Sequence, residues 1–128
     1  MPVDATLSYD DQNIFAKILR GEIPNRTVYE DEWALAFHDI NPQAPVHILV
    51  IPKGAYVSWD DFSAKATDAE MAGYVRAVGH VAREMGVAES GYRLIANHGV
   101  DAHQEVPHLH VHVFGKRDMK GMLKRAED

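Results

Sequence analysis

The order of apolar and polar residues along the chain predicts short strands and two helices. From Asp11, the segment NIFAKILRGEIP places its apolar residues at helical spacing, and Gly21 and Pro24 end the pattern. A longer helix is predicted over residues 67–85, because a capping box opens it and Gly86 follows its last apolar position. Both segments therefore predict amphipathic helices.

Five other segments have the composition or the alternation of β-strands. They are residues 26–30, 34–40, 46–51 and 92–97 and the histidine-rich run within residues 106–115. The second and third of these are joined by Asn-Pro-Gln-Ala-Pro, a typical turn sequence, which favours an antiparallel pair. The predicted fold class is α+β, a mostly antiparallel sheet with helices on one side.

The size and composition of the chain predict one domain. A chain of 128 residues with 46% hydrophobic content can bury a single core, which we place at about residues 11–118, with terminal segments 1–10 and 119–128. The formal net charge of −6 argues against binding nucleic acid through a broad basic surface. No cysteine is present, and no stretch predicts a membrane span or a signal peptide. We therefore expect a soluble, unprocessed, cytoplasmic protein with no membrane partner.

The run VPHLHVHVFG, residues 106–115, holds the strongest chemical signal. Polar and apolar residues alternate strictly, so His108, His110 and His112 share one face of the predicted strand while leucine and valine share the other. Same-face neighbours on a strand lie about 7 Å apart, which lets several imidazoles address one ligand. A neutral imidazole is a nucleophile and a proton carrier, which suits phosphoryl transfer.

Other interpretations of these residues remain open at this point. Zinc could be bound by two of the alternating histidines, with a third ligand from His47 or His38. The triad could also bind a nucleotide without catalysis. Asp39, Asn97, Gln104 and Glu105 could be ordinary loop or strand-end residues, and the apolar positions nearby could simply be core.

The residues that carry a family resemblance are the histidine run and several segments before it. His108 to Phe114 matches the His-φ-His-φ-His-φ-φ signature, where φ is apolar, of the histidine triad (HIT) superfamily. IFAKILRGEIP, AFHDINPQAPVHILVIPK, YRLIANHG and QEVPHLHVHVFG extend the match over most of the chain. The combination resembles the Hint branch, the histidine triad nucleotide-binding proteins.

This resemblance implies a fold, an activity and a set of roles. The implied fold is a five-stranded, mostly antiparallel sheet with two helices, extended across a homodimer. The implied activity is that of a purine nucleoside phosphoramidase needing no cofactor or metal and acting on an AMP-type nucleotide. His110 would attack the phosphorus, His112 would contact the phosphate, and His108 and His47 would support them. The residues implied to bind the nucleotide are Asp39, Ile40, Ile14, Phe15, Ile18, Phe37, Leu49, Asn97, Gln104, Glu105 and Val106.

The chain departs from animal members of the branch at two places. Glu105 stands where those members usually carry a serine thought to help protonate the leaving group, and the tail lacks their Trp-Pro-Pro-Gly ending. Leaving-group preference is therefore open. The alternative enzyme activity is dinucleoside polyphosphate hydrolysis, and the non-enzymatic alternative is a nucleotide-binding or zinc-binding module.

Overall fold

The computed structural model describes residues 2–123, which form a five-stranded antiparallel sheet with three helices. In chain order the elements are α1 (Ile14–Leu19), β1 (Thr27–Glu30), β2 (Ala34–His38), β3 (Val46–Pro52), α2 (Trp59–Lys65), α3 (Asp68–Glu84), β4 (Tyr92–Ile95) and β5 (Val111–Gly115). The strand order is β1-β2-β3-β5-β4, so β3 and β5 lie at the centre, flanked by β2 and β4. The predicted α+β class with a five-stranded antiparallel sheet is confirmed.

The two faces of the sheet are covered by different helices. Strands β2 and β3 alternate between two apolar clusters. Helix α3 packs on the first cluster, which includes Ile48 and Val113, whereas Phe15 and Ile18 of α1 pack on the second with Leu49. The prediction that the helices lie on one side of the sheet is therefore wrong, because the central strands are apolar on both faces and both faces need cover.

Several element boundaries differ from those predicted. Strand β2 ends at His38 and β4 at Ile95, each two residues early, and β5 begins only at Val111, so that His108 and His110 precede the regular strand. Helix α2 lies in a connection for which no helix was predicted, and it begins after the N-cap Ser58. The capping box predicted for α3 is present.

Two predictions about the chain as a whole concern its termini and membranes. Residues 124–128 of the predicted C-terminal segment lie outside the described residues. Within residues 2–123, none of the helices combines the length and the apolar character needed to span a bilayer.

Candidate active site

The apolar and histidine side chains of the run lie on opposite faces of the sheet, as their alternation predicts. Leu109 and Val113 are almost fully buried in the cluster under α3. In the sheet register, His112 of β5 lies opposite Leu49 of β3, on the face that carries α1. The histidine side chains therefore lie on the α1 face.

The ring of His110 is oriented by the backbone of the same run. Its Nδ1 lies 2.8 Å from the carbonyl oxygen of His108, and because a carbonyl only accepts, Nδ1 must carry the proton. In the neutral ring, Nε2 then keeps a free lone pair. The edge of Phe15 packs against the ring with centroids 5.0 Å apart. His110 is thus a buried imidazole whose second nitrogen is a nucleophile.

A chain of hydrogen bonds sets the opposite tautomer at His112. The backbone N–H of Gln43 donates to Nδ1 of His47 at 3.1 Å, so the proton of a neutral His47 is on Nε2. That nitrogen lies 2.9 Å from Nδ1 of His112, which accepts its hydrogen bond. The remaining nitrogen of His112, Nε2, therefore carries an N–H. A carboxylate oxygen of Asp39 lies 3.3 Å from the same nitrogen of His47.

Two neighbouring rings thus offer complementary groups, an unprotonated Nε2 on His110 and an N–H on His112. Their centroids are 5.1 Å apart. A lone pair beside a hydrogen-bond donor is the arrangement needed to attack an electrophilic centre while stabilising the negative charge that develops on it.

Burial keeps these rings neutral. It lowers the pKa of His108 to about 4, an effect to which the neighbouring His110 adds. Burial also lowers the pKa of His112 to about 4, with further contributions from His110 and His47. The pKa of His110 lies below its ordinary value for the same main reason, although the His108 carbonyl opposes the shift. At neutral pH the triad is therefore uncharged.

A cavity of about 350 Å³ opens beside the two rings. Eight of the predicted site residues line it: Phe15, Asp39, Leu49, Asn97, Glu105, Val106, His110 and His112. Three lining residues were not among the predicted site residues: Asn41, Gln43 and His103. No lysine or arginine is among the lining residues in the described part of the chain.

Besides His108 and His47, which support the rings, five predicted site residues do not line the cavity. Ile18 and Phe37 are buried in the apolar cluster with Phe15, whereas the side chains of Ile14 and Ile40 are exposed, Ile40 by 88%. Gln104 is buried, and its amide is fully engaged within the protein. It accepts from the N–H of Gly99 and donates to two backbone carbonyls. Its side chain therefore braces the loop before the histidines.

The three unpredicted lining residues lie in two connections between strands. Asn41 and Gln43 belong to the connection between β2 and β3, and the backbone N–H of Gln43 is the one that donates to His47. His103 has a left-handed backbone, φ 55°, which is uncommon for a residue other than glycine. It lies exposed at the cavity.

Asp39, His47 and His112 are also the group within residues 2–123 that could hold a metal ion, with one ligand atom from each lying within 4.8 Å of the others. Their closeness has a simpler cause, since the nitrogens of His47 and His112 share a proton in a hydrogen bond. A metal at this point would have to displace that proton. Two histidines and a carboxylate are residue types that bind zinc, but the facing nitrogens of His47 and His112 are already hydrogen-bonded to each other.

A family model and two relatives match most of this chain. The HIT domain family model matches residues 20–119. An uncharacterized 13.2 kDa HIT-like protein of Azospirillum brasilense is 66% identical over 119 residues, covering 93% of this chain and 98% of that protein. The purine nucleoside phosphoramidase of Escherichia coli K12 is 42% identical over 113 residues, covering 88% of this chain and 94% of that protein.

A solved structure gives the same result for the fold. The HIT family hydrolase from Clostridium thermocellum superposes with a TM-score of 0.81 at 40% identity. The match covers 90% of this chain and 99% of that one. Sequence and structure thus agree on the relatives that this chain resembles.

Proposed function

The chain belongs to the HIT domain family, and from this premise we propose that it is a hydrolase of purine nucleoside phosphoramidates. The substrates would be adenosine 5′-monophosphoramidate and related aminoacyl-adenylate-type compounds. The observation that carries the proposal is the pair of neutral rings at the cavity, with a lone pair on His110 and an N–H on His112. The Escherichia coli relative, which is named a purine nucleoside phosphoramidase, supports the substrate class.

The proposed reaction has two steps with His110 as the nucleophile. Nε2 of His110 attacks the α-phosphorus, the P–N bond of the substrate breaks, and the amine departs with a proton. The proton that the amine takes up comes from the solvent. Water then attacks the phosphorus of the nucleotidyl-histidine, the bond between phosphorus and Nε2 breaks, and the water returns one proton to the solvent as the monophosphate is released. His112 donates its N–H to a phosphate oxygen in both steps, while the His108 carbonyl holds His110 in place.

The rest of the nucleotide would contact the other lining residues. Asp39 would accept from the ribose hydroxyls, and Asn97 with the backbone at Glu105 and Val106 would bind phosphate oxygens. Phe15, with Leu49 beside it, offers an apolar wall for the base. Because no lysine or arginine among residues 2–123 lines the cavity, phosphate binding would rest on N–H donors.

The alternative enzyme activity is hydrolysis of dinucleoside polyphosphates. Measuring kcat/KM for adenosine 5′-phosphoramidate and for a diadenosine polyphosphate under the same conditions separates the two. We expect the phosphoramidate to be preferred by at least about tenfold, a difference of about 1.4 kcal/mol in transition-state stabilisation. Faster cleavage of the diadenosine compound would replace the proposed activity with the alternative.

We also propose that two copies of the chain form a homodimer through α3 and β4. Strand β4 is an edge of the sheet, and Tyr92 and Leu94 on it are 40% and 48% exposed. Val75 of α3, 62% exposed, lines with them an apolar cavity of about 580 Å³, which lies away from the histidines. An exposed edge strand beside an apolar patch is suited to pair with its own copy and continue the sheet.

Sedimentation equilibrium at micromolar concentration tests this dimer. Wild type is expected at twice the monomer mass of 14.3 kDa. The variant Leu94→Glu should shift toward monomer, because a carboxylate would be desolvated at the interface. As the matched control, Val100→Glu changes another exposed apolar residue outside this patch and should stay dimeric. A monomeric wild type would contradict the proposal.

A further inference from the structure

Tyr9 lies in the N-terminal segment, before the first helix and outside the residues matched by the family model. The sequence predicts no role for Tyr9, which belongs to the N-terminal segment 1–10. In the structure its hydroxyl lies 2.6 Å from Nδ1 of His108, the first histidine of the triad, across 99 positions of sequence. The two rings also meet edge to face, with centroids 5.6 Å apart.

The direction of this hydrogen bond follows from the other side of the His108 ring. Nε2 of His108 lies 2.9 Å from the carbonyl oxygen of Pro52, which can only accept, so Nε2 carries the proton. In the neutral ring Nδ1 is then an acceptor, and the Tyr9 hydroxyl donates to it. The His108 ring, which is fully buried, is thereby held between one donor and one acceptor.

The segment that carries Tyr9 is itself fixed at both ends. The N–H of Val3 donates to the carbonyl of Gln104 at 2.7 Å, in the loop that precedes the histidines. At the other end, Asn13 caps α1, so that Phe15 is placed against His110. Tyr9 therefore reaches the triad from a segment anchored on either side of it.

We propose that Tyr9 is a positioning residue of the site, whose hydroxyl keeps His108 neutral and in the Nε2–H tautomer so that the His108 carbonyl stays aimed at His110. The held ring and the orienting carbonyl belong to the same residue. The side chain of His108 forms hydrogen bonds with Tyr9 and Pro52, and its backbone carbonyl accepts from Nδ1 of His110. Fixing the ring restrains the peptide that orients the nucleophile. This inference rests on the proposed function.

The groups around His108 determine what loss of the hydroxyl would do. The groups in contact with the ring are Tyr9 from the N-terminal segment, Phe15 from α1 and the carbonyl of Pro52 from β3. His110 is the titratable neighbour that affects it, and protonation of either ring disfavours protonation of the other. A hydrogen bond to the lone pair of Nδ1 favours the neutral ring, so its removal makes protonation of His108 easier.

The test is Tyr9→Phe, which removes the hydroxyl and keeps the ring that packs on His108. Two measurements are made on the full chain. One is the pKa of His108 by NMR titration, and the other is kcat/KM for adenosine 5′-phosphoramidate across the acid range. We expect the His108 pKa to rise by about half a unit or more. We also expect kcat/KM to fall by up to about threefold, the factor that half a pKa unit allows, as the pH approaches 4, with little change at neutral and alkaline pH and AMP affinity little changed.

The matched control is Tyr29→Phe on β1, which deletes a hydroxyl that donates to Asp31; neither residue lines the cavity. It should leave both the His108 pKa and the pH profile at wild-type values. An unchanged His108 pKa in Tyr9→Phe would overturn the proposal, as would a loss of activity equal at every pH, because both would mean that Tyr9 only stabilises the fold. Because the NMR titration needs no turnover, a wild type without phosphoramidase activity would contradict the proposed function and leave the role of Tyr9 to be decided by the titration.

Discussion

At the residue scale, the proton on each imidazole is placed by groups that cannot change their own protonation. The carbonyls of Pro52 and His108 only accept, and the backbone N–H of Gln43 only donates. Each settles one nitrogen of one ring, and the second nitrogen follows. The complementary groups on His110 and His112 are therefore a consequence of backbone geometry.

The buried histidines make stability depend on pH. His108 and His112 have pKa values of about 4 in the folded chain, compared with about 6.5 in an unfolded one. Between these values the unfolded chain binds more protons, so the free energy of unfolding falls as pH falls from about 6.5 toward 4. Above about pH 6.5 these two rings contribute no slope.

Urea unfolding at about pH 7 and about pH 5 measures this effect. We expect the free energy of unfolding at the lower pH to be smaller by on the order of 1 to 4 kcal/mol, since one pKa unit corresponds to about 1.4 kcal/mol per ring. His112→Asn should reduce the difference, whereas His80→Gln, on the exposed side of α3, should not. Equal stability at the two pH values would be inconsistent with buried neutral rings.

His103 holds a strained backbone at the mouth of the cavity. Its φ of 55° lies in the left-handed region, which costs roughly 1 kcal/mol for a residue with a Cβ. We expect His103→Gly to raise the free energy of unfolding by about that amount. His98→Gly is the control, because His98 is exposed in the same loop and is not among the residues with positive φ, so it should lose stability. A destabilised His103→Gly would mean that the imidazole makes contacts that outweigh the strain.

The alternation of the histidine run was enough to predict which residues share the site face, but not how they are oriented. The partners of the rings come from distant parts of the chain. Tyr9 is 99 positions from His108, Pro52 is 56 positions from it, and His47 is 65 positions from His112. Local periodicity carries no information about such pairs. The role of Gln104 in bracing the loop could not be predicted from the sequence either, because its buried partners are backbone atoms brought together by folding.

At the element scale, the central strands explain why helices lie on both faces. Every residue of β3 is buried, and β2 is buried up to its last residue. The sequence of β3, VHILVIP, has no polar alternation apart from His47, which is typical of a strand covered on both sides. That signal was available and argues against helices on one side.

Helix α2 also had a signal in the sequence. Ser58 is its N-cap, and Asp60 and Asp61 follow in the first turn, where negative charge is favourable. The side chain of Asp61 in turn accepts from the N–H of Val57. A helix of 7 residues is too short to show apolar periodicity, so only the cap could have predicted it.

The packing of α3 on the sheet leaves no room at Gly73. A Cβ there would lie 2.2 Å from ring atoms of Trp33, so the indole would have to move. In a helix Gly→Ala ordinarily gains about 1 kcal/mol, but here we expect Gly73→Ala to lower the free energy of unfolding by about 1–3 kcal/mol. Thermal or urea unfolding checks this.

A control for Gly73→Ala is the reverse change, alanine to glycine, at the preceding position. Ala72 is exposed on the same helix, and Ala72→Gly should lose only the propensity difference of about 1 kcal/mol. If Gly73→Ala were more stable than wild type, the close packing of α3 against Trp33 would be wrong.

At the scale of the whole molecule, the cavity collects residues from parts of the chain that are far apart. Phe15 comes from α1, Asp39 and Gln43 from the connection between β2 and β3, and His110 from the approach to β5. The net charge of −6 would repel an anionic nucleotide at long range, so binding in the proposed function depends on local N–H donors. The fold therefore matters to the proposed chemistry mainly by holding those donors in place.

The most direct test of the account is hydrolysis of adenosine 5′-phosphoramidate by wild type and by His110→Ala, each with and without a chelator, with AMP binding measured by calorimetry as the control for folding. We expect wild-type turnover that survives chelation. In His110→Ala, which should still bind AMP, turnover should fall by at least about a thousandfold. A variant that binds AMP and still turns over within about tenfold of wild type, or a wild type whose activity is lost on chelation, would contradict nucleophilic attack by His110.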